Sequence, residues 1–197
     1  AGSRQAQGPT MQIVRQIPNL LTVLRLVLTV PIAWLLLHQQ YAQALLWFAL
    51  AGASDGLDGF LARRFGWISR FGSIVDPLAD KLLLVTSYVC LSLVGELPLW
   101  LTAVVLSRDL LLVGGALVFR QLIGPFQVQP SLLGKCSTVL QIVLVLALLL
   151  ELSIQPAFTE VHGFLQWLVL LVTLASGADY CRIWVAKLIR QRRDQAQ

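Results

Sequence analysis

Charged residues are what this 197-residue chain has least of: Asp, Glu, Lys and Arg together make up 13% of it, against roughly 25% in an ordinary soluble domain. Hydrophobic residues reach 57%, which excludes the soluble globular class and predicts a membrane protein. Cysteine is scarce as well. Cys90, Cys136 and Cys181 lie far apart, with neither a Cys-x-x-Cys spacing nor an even count, so a disulfide framework is excluded and each is expected to pack as a small buried hydrophobe. No internal repeat, low-complexity tract or linker divides the sequence, and a single domain over residues 11–197 is expected. The opening "AGSRQAQGPT" lacks the basic-then-apolar order of a secretory signal. Met11 is the only methionine, and residues 1–10 are read as an expression scar or a disordered leader. After them Ile13, Val14 and Ile17 share one side of a short segment beside Arg15 and Gln16, the pattern of a helix lying in the headgroup plane.

Apolar runs are abundant. Six reach the length of about 20 residues that a bilayer core requires, at roughly 20–37, 42–61, 73–94, 98–119, 132–150 and 163–186, predicting an all-α integral membrane protein with six transmembrane helices and a short N-terminal interfacial helix. Lys and Arg are missing from three connections, "HQQYAQ", "GELP" and "ELSIQPAFTEVHG". The positive-inside rule then puts both termini and the loops at 62–72 and 120–131 in the cytoplasm. A net charge of +5 raises the question of nucleic acid, but the cations are strung along one membrane face without interleaved aromatics. No nucleic-acid partner is expected; anionic lipid headgroups fit better.

Against this background "SDGLDGFLARRFGWISRFGSIVDPLADKL" is anomalous, because it carries Asp55, Asp58, Asp76 and Asp80 between two apolar flanks. Asp55 and Asp58 are three apart and Asp76 and Asp80 four apart, so each pair shares a helix face. The short connection makes spans two and three antiparallel neighbours. At a rise of 1.5 Å per residue, Asp55 lies only about 12 Å from Arg63 and Asp80 about 15 Å from Arg70, so the cluster is sunk in the cytosolic third of the membrane. Each Asp at a helix centre costs about 2.5 to 3.5 kcal/mol. Lys81 and Arg63 offset two of the four at most, and a structural ion-pair network leaves the others without partners. A hard divalent cation held by oxygen, Mg²⁺ or Mn²⁺, meets the need, and two would suit displacement at phosphorus. Gly59, Ala62 and Gly72 leave room for a pocket, with Arg63 offering a fork of donors to a phosphate.

The pattern Asp-x2-Asp-Gly-x2-Ala-Arg-x8-Gly-x3-Asp-x3-Asp, filled by Asp55, Asp58, Gly59, Ala62, Arg63, Gly72, Asp76 and Asp80, resembles the signature of CDP-alcohol phosphatidyltransferases. "IPNLLTVLRL", "SRDLLL", "GKCSTVLQ" and the six-span plan resemble the branch that makes phosphatidylglycerophosphate or cardiolipin. The resemblance implies a metal-dependent transferase of phospholipid biosynthesis that moves the phosphatidyl group of CDP-diacylglycerol to a glycerol-type alcohol and releases CMP. It further implies that Asp55, Asp58 and Asp76 hold two Mg²⁺ or Mn²⁺ ions and that Asp80 is the general base beside them. Asp58, Gly59, Ala62, Arg63 and Gly72 would line the cytidine diphosphate pocket, in a homodimer of a bacterial inner membrane whose site faces the cytoplasm.

Three cations at membrane depth, Arg25, Arg108 and Lys135, have no obvious acidic partner, since Asp109 adjoins Arg108 and neighbouring helical residues point in different directions. An acceptor carrying its own phosphate accounts for all three; snorkelling to the interface is the plainer reading. Asp179 and Arg182, three apart, are expected to pair. His38 and His162 fall away from the site. Glycerol 3-phosphate is the expected acceptor, making a phosphatidylglycerophosphate synthase. The alternative is phosphatidylglycerol, making a CMP-forming cardiolipin synthase, toward which Ser107-Arg108-Asp109 points. A divalent-cation transporter is the remote alternative from another class; against it, the acids are offset from the midplane and no repeat is visible.

Overall fold

A computed structural model of the chain describes the backbone of residues 9–65, 72–123, 131–154 and 159–194, and the side chains of 23–54, 79, 81–115, 131–154 and 162–185. Six helices fill that backbone: α1 (Pro9–Leu37), α2 (Tyr41–Phe65), α3 (Gly72–Leu93), α4 (Leu99–Ile123), α5 (Leu132–Ile154) and α6 (Thr159–Asp194). No strand occurs among the described residues. Every expected apolar run falls on one of them. The interfacial segment after Met11 is not a separate element, because α1 runs unbroken through Pro18 and Pro31, as apolar helices can when neighbouring groups take up the freed carbonyls.

Helix ends follow local chemistry. α1 stops where Gln39 adopts a left-handed φ of 58°. The Gln40 amide donates to the Leu35 carbonyl at 2.9 Å and the Gln39 amide to Leu36 at 3.1 Å, the paired bonds of a Schellman cap. α5 starts at Ser131, whose Oγ accepts from the Gly134 amide at 3.1 Å as an N-cap does. α4 follows Pro98, whose carbonyl accepts from Leu101 and Thr102.

The chain divides into two compact units, Ala1–Val94 and Gly95–Gln197. In the first, α1 packs against both α2 and α3, burying Ile32 and Leu36 of α1, Ala44 and Phe48 of α2, and Leu84, Tyr88 and Leu91 of α3. The expected direct pairing of spans two and three is not among the packed helix pairs of the described residues; α1 contacts each of them. In the second unit α6 packs against α4 and α5, around Leu101, Val105, Leu144, Leu149 and Val169.

The outward faces are as apolar as the inner ones. Val30 is 70% exposed, Leu110 72% and Phe164 68%, a surface that water does not support. Two stretches, Leu132–Ile154 and His162–Val185, are long and apolar enough to cross a membrane among the described residues, and Val23–Leu37 and Lys81–Leu93 are shorter apolar runs. Cys90 is buried as expected, but Cys136 and Cys181 are exposed. A small apolar residue has no need of the core where the surface beside it is itself hydrocarbon.

Candidate active site

The burial pattern of α2 is narrow. Between Tyr41 and Ala53 only Ala44, Phe48 and Ala51 are buried, at spacings of four and three. Continuing that alternation along the same helix reaches positions 55, 58 and 62, so Asp55, Asp58 and Ala62 extend the register of the buried stripe. On α3 the register of positions 76 and 80 continues through Leu84, Ser87 and Leu91, all buried. The side chains of Asp55, Asp58, Gly59, Ala62, Arg63, Gly72, Asp76 and Asp80 themselves lie outside the described residues. The backbone positions are helical throughout, so the spacing that would gather oxygen donors from two helices is preserved. Four carboxylates in such a register fit a hard divalent ion, whose preferred ligands are oxygens.

Helix lengths set the depth of these positions. Arg25 stands twelve residues before the end of α1, about 18 Å along the axis, and Asp55 stands fourteen after the start of α2, about 21 Å. The α1–α2 turn occupies only residues 38–40, so the two helices run antiparallel and these distances are counted from one end. From Phe65 to Gly72 the chain can reach at most about 25 Å, short of the roughly 37 Å length of α2, so α3 begins toward the end of α2 and, packing along α1 as α2 does, runs back. Asp80, thirteen residues before Leu93, is then about 20 Å from the same end. Arg25 belongs to this level. It is 4% exposed, on a buried stripe with Thr29, Ile32 and Leu36, and the Thr29 hydroxyl donates to its carbonyl at 2.9 Å.

In the second unit the other two expected cations differ. Lys135, in the first turn of α5, is exposed. Arg108 is 7% exposed and firmly held: Nη1 donates to Asp109 Oδ1 at 3.0 Å and Nη2 to Ser176 Oγ at 2.7 Å, while the guanidinium carbon stands 6.0 Å over the Tyr180 ring. The expectation that Asp109 points away from Arg108 is therefore wrong. Adjacent Cα–Cβ bonds do diverge, but a guanidinium on a long stem can curl back to its neighbour. Tyr180 Oη also accepts from the Ser131 amide at 3.1 Å, tying the last helix to the N-cap of α5. Arg108 Nε is buried and has no partner among the described residues.

Other groups were not singled out by sequence. Ser137 and Thr173 share a hydrogen bond of 3.1 Å between α5 and α6, extended by Gln141 Nε2 donating to Ser137 Oγ. At the far end of the same helix pair Glu151 and His162 meet at 2.6 Å. Hydroxyls and lone acids on unrelated helices carry no shared spacing, so only Arg108 could have flagged this cluster. Asp179 and Arg182 form no ion pair among the described residues; Arg182 is exposed, where an i, i+3 pair contributes little.

The family model described as CDP-alcohol phosphatidyltransferase matches residues 15–177, a span that enters both units. The chain is 37% identical over 182 residues to a chloroplastic CDP-diacylglycerol–glycerol-3-phosphate 3-phosphatidyltransferase of Oryza sativa subsp. japonica, covering 83% of this chain and 55% of the relative. It is 36% identical over 198 aligned residues to a Mycobacterium tuberculosis protein named "Probable phosphatidylglycerophosphate synthase", covering 94% of this chain and 90% of that one. A CMP-forming cardiolipin synthase of Streptomyces coelicolor is 39% identical over 153 residues, 70% of each chain. The chain thus spans about half the length of the rice relative and nearly all of the mycobacterial one.

Proposed function

The chain belongs to the CDP-alcohol phosphatidyltransferase family, and from that premise we propose that it transfers the phosphatidyl group of CDP-diacylglycerol to a glycerol-type alcohol with release of CMP. The observation that carries this reading is the eight-position acidic pattern on two helices, with its aspartates continuing the buried registers of α2 and α3. Asp55, Asp58, Asp76 and Asp80 would hold two divalent cations, Mg²⁺ or Mn²⁺; when bound, these supply charge neutralisation for the diphosphate and the departing CMP. Asp58, Gly59, Ala62, Arg63 and Gly72 bind the cytidine diphosphate. Asp80 takes the proton of the acceptor hydroxyl as its oxygen bonds to the phosphatidyl phosphorus and the bond from that phosphorus to the CMP oxygen breaks.

Glycerol 3-phosphate is the proposed acceptor, and the names of the rice and mycobacterial relatives support it. Phosphatidylglycerol is the second reading, favoured by Asp109 after Arg108 and by the Streptomyces relative. Both acceptors carry a phosphate, which Arg108 and Lys135 are proposed to bind; Arg25 is a third candidate on charge and burial. Supplying CDP-diacylglycerol with each alcohol in turn and identifying the lipid product by mass spectrometry decides between them. Product with neither alcohol overturns the reading.

We propose further that six helices cross the membrane, that both termini and the active site are cytoplasmic, and that the protein is a homodimer, the last carried by the family resemblance. In support, each unit carries exposed tryptophans toward the end opposite its cations: Trp34 and Trp47 flank the α1–α2 turn, and Trp100 and Trp167 lie with ring centroids 5.7 Å apart. Tryptophan gathers at membrane interfaces.

A further inference from the structure

Arg108 is not merely buried; its orientation is fixed from three sides, and two of the groups that fix it lie on α6. Of its five N–H donors, Asp109 takes one at 3.0 Å and Ser176 another at 2.7 Å. The Nε–H remains buried without a partner among the described residues, and a buried donor left unmet is destabilising. A charged donor kept in that state is poised for an acceptor that arrives with the ligand. Beside it stands the start of α5, whose positive dipole end favours an anion. A β-carbon on Gly134, in the first turn, would lie 3.1 Å from both Arg108 Nη2 and Tyr180 Oη. Guanidinium, phenol and helix start thus converge on one point.

Tyr180 links the guanidinium to the helix start. Its ring lies under the guanidinium at 6.0 Å and its hydroxyl accepts from the Ser131 amide at 3.1 Å, so one residue fixes the distance between Arg108 and the turn that carries Lys135. Ser176, fully buried, is one helical turn away on the same face and sets the plane of the guanidinium fork. We infer that Tyr180 and Ser176 are positioning residues of α6 that align Arg108 and the start of α5 to read the acceptor's phosphate, a role that rests on the acceptor-phosphate reading of Arg108. They act through Arg108 and Ser131, not by touching the reacting atoms.

Steady-state kinetics of the full chain in detergent, with CDP-diacylglycerol and the acceptor identified by product analysis, tests this in four variants. Tyr180→Phe keeps the ring and loses the bond to Ser131; Ser176→Ala loses the bond to Nη2. Each should raise the acceptor KM about three- to tenfold, the net worth of one ordinary hydrogen bond that acts indirectly, with the donor KM unchanged. Ser176→Thr restores a hydroxyl and should return the acceptor KM toward wild type. Arg108→Ala is the reference and should raise the acceptor KM about tenfold or more. If Arg108→Ala raises it while Tyr180→Phe and Ser176→Ala do not, the positioning role is wrong and the acceptor reading stands. If Arg108→Ala leaves acceptor kinetics at wild type, the acceptor reading fails and the positioning role with it. Donor and acceptor parameters worsening together, alongside a lowered melting temperature, reduce Tyr180 and Ser176 to packing and overturn the inference.

Discussion

At the scale of single residues, the four aspartates were the most legible feature because their cost in an apolar segment is large and their spacing cannot be accidental on a helix. What they do divides into two expectations. Asn in place of Asp55, Asp58 or Asp76 removes one ligand from a site built of few, yet relieves repulsion among the carboxylates left behind. Each variant should therefore fold in detergent and lose essentially all metal-dependent CMP release; full activity in excess chelator would show that no divalent ion is needed. Asp80→Asn should separate binding from turnover, since a base acts on the acceptor's proton while the donor is held mainly by the remaining acids and the pocket. Donor affinity, measured by titration, should change far less than kcat. Equal losses in both would make Asp80 chiefly a ligand. Arg108 shows where residue-scale reading fails. Sequence spacing gives the direction in which a side chain leaves the backbone, and not where about four rotatable bonds later its guanidinium ends, so its pairing with Asp109 was invisible.

At the scale of helices, the boundaries were readable where a residue has a capping chemistry, as Ser131 and Pro98 do, and unreadable where one adopts a conformation against its type. Gln39 is of the second kind. A left-handed backbone costs an ordinary residue roughly 1 to 2 kcal/mol, and glycine returns only about 0.5 to 1 of that through its greater freedom when unfolded. Gln39→Gly should therefore stabilise by about 0.5 kcal/mol or more, raising the melting temperature in detergent; a lower one would mean that the Gln39 side chain holds the turn in a way its φ does not reveal. Ser131→Ala removes the cap of α5 and should cost about 1 kcal/mol. The contact between α4 and α6 rests on another absence of bulk. Ring atoms of Trp184 occupy the space that a β-carbon on Gly115 would need, so Gly115→Ala should destabilise by about 1 to 3 kcal/mol. Trp184→Phe in the same chain should recover part of that loss. No sequence pattern announces such a pair, because the two positions are 69 residues apart and neither belongs to a motif.

For the whole molecule, the sequence disclosed the all-helical class and six apolar runs that each fall on a helix of the described residues, though not that the segment after Met11 is continuous with the first, because hydropathy acts over stretches far longer than any error in a boundary. It did not disclose that α1 contacts both α2 and α3, since a short loop between two helices says nothing of which third helix packs against each of them. The long-range charge pattern makes orientation testable. If the basic connections are cytoplasmic, the α1–α2 turn at residues 38–40 must face the opposite side, and the C-terminal segment with Arg190, Arg192 and Arg193 must not. Cys136 and Cys181 are exposed, so both must first become serine; Cys90 is buried and can stay. In that background Gln39→Cys, at an exposed turn position, should react with a membrane-impermeant maleimide added to intact cells. Gln197→Cys should react only after the cells are broken, while both variants keep CMP-releasing activity. The order of magnitude behind this expectation is the bias of about 1 kcal/mol that each Lys or Arg near an anionic leaflet contributes, summed over the cations of the two basic connections and the termini. Labelling of Gln197→Cys from outside, or of both positions from the same side, would invert or break the alternation on which six spans depend.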